Sequence, residues 1–387
     1  MLTTARKLKR PGICLAAALF LAGCGGASVK AGTAGATGAP EPQTGDLSYA
    51  QAQVDKYSTL PTFQAPGDPF DAKTVMAGKS IVSIPVNGAI DFTQFYKQAA
   101  ERVATKVGFR FTTWQNQGKP TEWGQGIQSG ATSGASLIDL FAGIDPQQVL
   151  PQIQQARSKK IPLVASDTYD ISQPASTDLN SSVKCPCAQA NRLMVDWVAA
   201  KTGGKGSVLV LTSSDVKASG AGEAAMKEEF AKVAPAMKVT YIDVPSSDWA
   251  TKIQPQVQSA LVGDPAMSYV LPVYDTMSIW TAMAIKQTGR QGKVKVVTYN
   301  GTPSILKLMN EDDIIEMDVG QSNDWMAHVI LDQEMRIIGG LKPNPDATWP
   351  LYIWTKANLA GAGSPPSDSQ GYGDAYKSGF STLWGLK

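Results

Sequence analysis

The side chains able to do chemistry in this 387-residue chain are few and unevenly spread. There are four cysteines and one histidine, His328. A single histidine excludes a histidine-built metal centre and most histidine-dependent catalysis. Cys185 and Cys187 stand as Cys-Pro-Cys. Residues two apart bridge only in a tight ring, and Pro186 can hold the bend. A local disulfide is expected there, with free thiols or redox and metal chemistry as the alternatives. Two thiols without a partner cluster assign no metal, and no cofactor is expected. Other polar groups sit just after apolar runs. Asp167 and Thr168 follow Ile161-Pro162-Leu163-Val164, Tyr274-Asp275 precedes a helical stretch, Asn300 follows Tyr299, and Gln321 follows Gly320. Carboxylates accept hydrogen bonds, and amides both donate and accept them. Asp91 adjoins Phe92, whose ring offers an apolar face, as does Trp123. Tyr169, Trp249 and Trp325 are further aromatic candidates.

Enzyme motifs are missing. No Gly-x-Ser-x-Gly elbow occurs. Gly78-Lys79-Ser80 ends like a phosphate loop, but Lys73 stands where its first glycine is required. Gly124-x-Gly126 continues to Gly130, which breaks the dinucleotide spacing. The chain is not expected to be an enzyme. Net charge is +2, from 35 basic and 33 acidic residues, so the electrostatic footprint of a nucleic-acid binder is absent. Hydrophobic residues make up 43%, enough for sizeable buried cores.

The front of the chain carries an address. Arg6, Lys7, Lys9 and Arg10 precede a short apolar run over residues 13–21. A basic head and an apolar segment too short to span a bilayer read as a secretory signal over residues 1–23. Leu21-Ala22-Gly23-Cys24 resembles the bacterial lipobox. The resemblance implies that Cys24 carries lipid, and that the chain is extracytoplasmic and anchored to the cell membrane, periplasmic or on its outer face. Residues 24–45, rich in Gly, Ala, Thr and Pro, read as a flexible tether. Residues 46–78 read as a short helix and then an extended strap.

The elements that position the polar groups alternate in type. Apolar strands are expected at 80–86, 109–113, 137–142, 161–165, 207–211, 239–244, 268–271, 294–299 and 314–319. Helical stripes lie between them, as in Phe92, Tyr96, Ala99 and Val103. Such alternation means parallel sheets covered on both faces. So many strands exceed one open sheet, so the fold class is α/β with two doubly wound lobes. Residues 361–387 are Gly/Ser/Pro-rich and then aromatic, and a short helix docked on the body is expected.

With these motifs in order, the chain resembles the periplasmic binding proteins of ribose type, the receptors of ABC importers. Residues 83–95 resemble the family's first strand, binding loop and helix start. The strand ending on Asp167, the Tyr274-Asp275 pair, Tyr299-Asn300-Gly301-Thr302-Pro303 and Gly320-Gln321 resemble later landmarks. The resemblance implies two lobes joined by a three-segment hinge: residues 79–182 plus 322–348, and residues 183–321 plus 349–387 with the tail. It implies ligand contacts from Asp91, Phe92, Asp167, Thr168, Tyr274, Asp275, Asn300 and Gln321, with Trp123 as a further aromatic candidate. Two family arginines lack counterparts: Thr168 follows Asp167, and residues 221–225 contain none. The implied function is capture of a small polar ligand, a sugar or sugar-like compound, for delivery to an ABC permease, by a monomer. A sensing receptor that signals to a membrane partner, or a cationic or aromatic ligand, is the alternative.

Overall fold

The computed structural model describes residues 45–386. The expected signal peptide and the Cys24 anchor lie outside the described residues. Two helices come first, α1 (Leu47–Tyr57) and α2 (Ala72–Met76), joined by an extended segment. Next come β1 (Ser80–Pro85), α3 (Asp91–Val107), β2 (Arg110–Thr113), α4 (Pro120–Thr132) and β3 (Leu137–Phe141). The first lobe's sheet is completed around α5 (Leu150–Ser158) by β4 (Leu163–Asp170) and β5 (Ser181–Cys185). Its strand order is β2-β1-β3-β4-β5, all parallel.

The chain then crosses to a second lobe. It forms α6 (Cys187–Thr202), β6 (Ser207–Thr212), α7 (Lys217–Val233), β7 (Lys238–Asp243), α8 (Trp249–Gly263) and β8 (Met267–Pro272). There follow α9 (Asp275–Gln287), β9 (Lys295–Asn300), α10 (Pro303–Glu311) and β10 (Ile315–Gly320). After β10 the chain crosses back to α11 (Asn323–Ile338), which packs on α3. It crosses a third time to β11 (Tyr352–Trp354), antiparallel to β10 at the sheet's edge, and ends in α12 (Ala375–Leu383). The second sheet runs β11-β10-β9-β8-β6-β7.

Central strands are buried on both faces. All eight residues of β4 and all six of β6 are buried, as parallel strands between helix layers must be. Two boundaries differ from the sequence expectation. The first sheet extends to Cys185, because β5 continues the pairing of β4. The C-terminal helix does not lie on the second sheet. Trp384 donates its indole N–H to Asp332 at 2.8 Å, and the Tyr376 hydroxyl donates to Asp324 at 2.9 Å, so α12 docks on α11 beside the first lobe. The aromatic tail closes the end of that lobe's core: Phe380 and Trp384 are fully buried, and His328 stacks on Trp384 at 5.4 Å. His328 is thus a packing residue.

A glycine-rich helix, α4, stands where no apolar stripe announces one. Its glycines allow close approach to the sheet: a Cβ on Gly126 would meet the Trp114 ring at 2.8 Å. Among the described residues no helix is long and apolar enough to cross a membrane.

Candidate binding cleft

Every residue lining the space between the lobes comes from the carboxyl end of a strand or the first turn of the helix that follows. The first lobe contributes Val86 and Ile90 after β1, Phe92 and Thr93 on α3, Ala142 after β3, and Asp167 on β4. The second contributes Cys187 on α6, Val216 and Ala218 at α7, and Trp249 on α8. Tyr274 and Thr276 at α9, and Tyr299 and Asn300 at the end of β9, complete it. Open α/β sheets place ligands at these strand ends. The space holds about 480 Å³ free of protein atoms, counting its mouth. The cleft is narrow, and the lobes already touch. Lys217 N–H donates to Gly143 O at 2.9 Å, and the Lys217 ammonium lies 2.9 Å from Asp145.

Backbone strain concentrates here. Four non-glycine residues among those described have positive φ: Ala142 (64°), Lys160 (60°), Asp167 (52°) and Asn300 (146°). All but Lys160 line the cleft. Such conformations cost of order 1–3 kcal/mol each and persist where the surroundings impose them, often at functional sites.

Among the described residues Asp167 is the only carboxylate that lines the cleft, and no lysine or arginine lines it. Burial, with a smaller push from Asp139, raises its carboxyl well above the ordinary range. Asp139 lies beneath, accepting from Ser83 Oγ at 3.1 Å and Ser166 Oγ at 2.6 Å, and burial raises it to about 7. The Tyr274 hydroxyl is buried without a protein partner. Trp249 packs against Tyr274 with ring centroids 6.1 Å apart, and its N–H is held by Ser213 Oγ and Val244 O.

Of the nine residues singled out in the sequence as ligand contacts, Phe92, Asp167, Tyr274 and Asn300 line the cleft. The others are engaged elsewhere. Gln321 is fully buried, and its Oε1 accepts from the Tyr299 hydroxyl (2.6 Å) and from Trp349 Nε1. Thr168 Oγ1 accepts from Gly143 N–H at 3.1 Å, steadying the loop after β3. Trp123 lies in the first lobe's core and donates to Val86 O at 2.9 Å. Asp91 opens α3 without reaching the cleft. Asp275 Oδ2 accepts from Thr302 N–H (2.7 Å) and Oγ1 (2.8 Å). Its neighbour Asp318 accepts from Gly301 N–H at 3.0 Å. Burial raises both acids, Asp318 to about 7, and their remaining oxygens, Asp275 Oδ1 and Asp318 Oδ2, are buried without another partner, so the pair keeps a proton. The pair clamps the turn that presents Asn300. Gly301 allows that turn, since a Cβ there would meet Gly320 Cα at 2.6 Å.

Sequence reasoning left Tyr299, Thr93, Thr276, Val86, Ile90, Val216 and Ala218 out of the site and gave Trp249 only as a further candidate. A usable signal was position: each lies at a strand end or in a first helical turn. Cys185 and Cys187 are joined as a disulfide at the first interlobe crossing, with Cys187 on the cleft wall. Their sulfurs and an Asp167 oxygen lie within 4.8 Å of one another, but disulfide sulfurs are not thiolate ligands.

Residues 81–342 match the family described as periplasmic binding protein domain. No curated protein matches the sequence. Among solved structures, a sugar ABC transporter protein from Yersinia enterocolitica subsp. enterocolitica 8081 superposes with a TM-score of 0.69 at 18% identity, covering 84% of this chain and 99% of that one. A 5-methylthioribose transporter solute binding protein from Thermotoga lettingae TMO gives 0.67 at 16% identity, with 78% and 92% covered. A Caulobacter myo-inositol binding protein gives 0.65 at 18% identity, with 74% and 95% covered. At such identities the likeness is one of fold: two parallel-sheet lobes around a cleft.

Proposed function

The chain belongs to the periplasmic binding protein family, whose members bind solutes and are not enzymes, and on that premise we propose that it is an exported receptor, tethered by lipid at Cys24. It captures a sugar or sugar-like compound between its lobes and delivers it to an ABC import permease. The observation that carries the reading is the cleft itself: three strained non-glycine residues and the first turns of five helices converge on one space. The ligands named for similar structures, 5-methylthioribose and myo-inositol among them, support a sugar-like solute. The basic head and Leu-Ala-Gly-Cys at the front support the tether.

Two readouts test it. Deleting the gene from its host should abolish uptake of the solute that the purified protein binds; unchanged uptake overturns the delivery role. Cys24→Ala should move the protein out of the membrane fraction, and retention there overturns the lipid anchor.

A further inference from the structure

The cleft's wall is more apolar than a polyhydroxylated ligand tolerates. Val86, Ile90, Phe92, Val216, Trp249 and the Tyr299 ring cover most of it. Few polar side chains reach it: Asp167 from the first lobe, and Asn300, Thr276 and Tyr274 from the second, with the partnerless Tyr274 hydroxyl near enough to Asp167 to feel its charge. Thr93 is already spent, since its hydroxyl donates to backbone oxygens of Asn87 and Ile90, each at 2.8 Å. Polar groups that the sequence pattern would bring to a ligand have been withdrawn. Gln321 serves Tyr299 and Trp349, Asp275 serves Thr302, and Thr168 serves Gly143.

A ring with hydroxyls on every carbon would leave several of them buried against hydrocarbon without partners, which opposes binding. A ring with donors on one edge only would satisfy the polar region and press its apolar faces on the aromatic rings. Asp167 sets the kind of edge. Among the described residues nothing donates to its carboxyl and no cation approaches it, so its accepting oxygen is left for a donor on the ligand.

We propose that the ligand is a small, largely apolar ring compound carrying hydrogen-bond donors along a single edge, which Asp167, Asn300, Thr276 and Tyr274 recognise. This rests on the solute-receptor reading above and narrows its ligand from sugars in general to sparsely hydroxylated rings. The donors are either neighbouring hydroxyls or a protonated amine. Both supply the same X–H contact to a carboxyl, and the test separates them.

The test uses one ring at different levels of decoration. Calorimetric titration of the full chain compares cis-cyclohexane-1,2-diol, trans-2-aminocyclohexanol and myo-inositol, with D-ribose and D-glucose as further polyols. The diol or the amino alcohol should bind at least tenfold more tightly than any polyol. Asp167→Asn should weaken the better of the two at least tenfold while the melting temperature stays within a few degrees. Preference for the amino alcohol, lost in Asp167→Asn, supports the cationic edge. Equal binding of diol and amino alcohol supports the neutral one. A polyol that binds as tightly as the diol or tighter overturns the inference but leaves the receptor reading standing. If no probe binds, whether ring or sugar, both fall. If Asp167→Asn leaves diol binding unchanged, the assigned polar edge is wrong.

Discussion

The Lys217 ammonium, on the first residue of α7, lies 2.9 Å from the Asp145 carboxylate just beyond β3, so an ion pair bridges the two lobes at the cleft's rim. Beside it Gly143, at φ 103°, carries the carbonyl that accepts the Lys217 N–H. A Cβ at Gly143 would collide with Val216 of the facing lobe. The closed arrangement thus depends on a glycine and a half-exposed ion pair, and the two differ in weight.

Lys217→Ala should have a small effect. Pairs open to solvent contribute about 0.2–1 kcal/mol, so ligand affinity should fall by no more than about fivefold. Gly143→Ala should do far more, because the collision and the positive φ both oppose contact between the lobes. By small-angle scattering Gly143→Ala should give a larger radius of gyration than the parent. An unchanged radius would mean that the lobes do not meet at this point in solution.

The clamp behind Asn300 should make stability depend on pH. Asp275 and Asp318 are raised by burial, Asp318 to about 7 from an ordinary 3.8. Below the unfolded value both states hold the protons, and the contribution is fully present. As pH rises from about 4 towards 7 the unfolded chain has lost protons that the folded one retains, so stability falls. Asp139, raised to about 7, pushes in the same direction. Asp275→Asn keeps a donor towards Asp318 without needing that proton. Chemical denaturation of this variant at pH 5 and pH 7 should show a smaller drop than the parent. An equal or larger drop would remove the shared proton from the account.

Arg336 ties the segment around Asp68 to α11, and its partner Asp332 ties α12 there too. Its Nε donates to Asp332 at 2.8 Å, Nη2 donates to Asp68 O at 2.8 Å, and its guanidinium lies 4.8 Å from the Phe70 ring centre. Asp332 also accepts from Trp384. Arg336→Ala would strand a fully buried carboxylate, a loss of about 3–5 kcal/mol. Replacing both partners, as Arg336→Met with Asp332→Leu, should cost much less. Melting curves of the single and double variants check this, and equal losses would show that the ion pair itself carries the stability.

How much of this was readable from the chain depends on what fixes each feature. The α3 stripe and the all-apolar core of β6 are local patterns, and burial follows from periodicity. Phe92, Asp167, Tyr274 and Asn300 were findable because strand ends in this architecture point at the cleft. Gln321 was not, because its partner Trp349 lies 28 residues onward across an interlobe crossing. Trp123 stood as a ligand candidate because α4 has glycines where an apolar stripe would mark it as core, and only the packed sheet shows why. The docking of α12 on α11 rests on Asp324 and Asp332 receiving hydroxyl and indole donors 52 residues away, a pairing no local pattern encodes.

The central claim is that a solute binds between the lobes, and a thermal-shift screen of the full chain reads it most directly. The panel holds sugars, deoxygenated rings and amines, each run in parallel on Trp249→Ala, which removes a cleft wall. A ligand at about a hundred times its dissociation constant adds about 2.7 kcal/mol, a shift of several degrees. The account predicts such a shift for at least one solute and its loss in Trp249→Ala. A shift of equal size in both proteins would place the ligand outside the cleft and contradict the account.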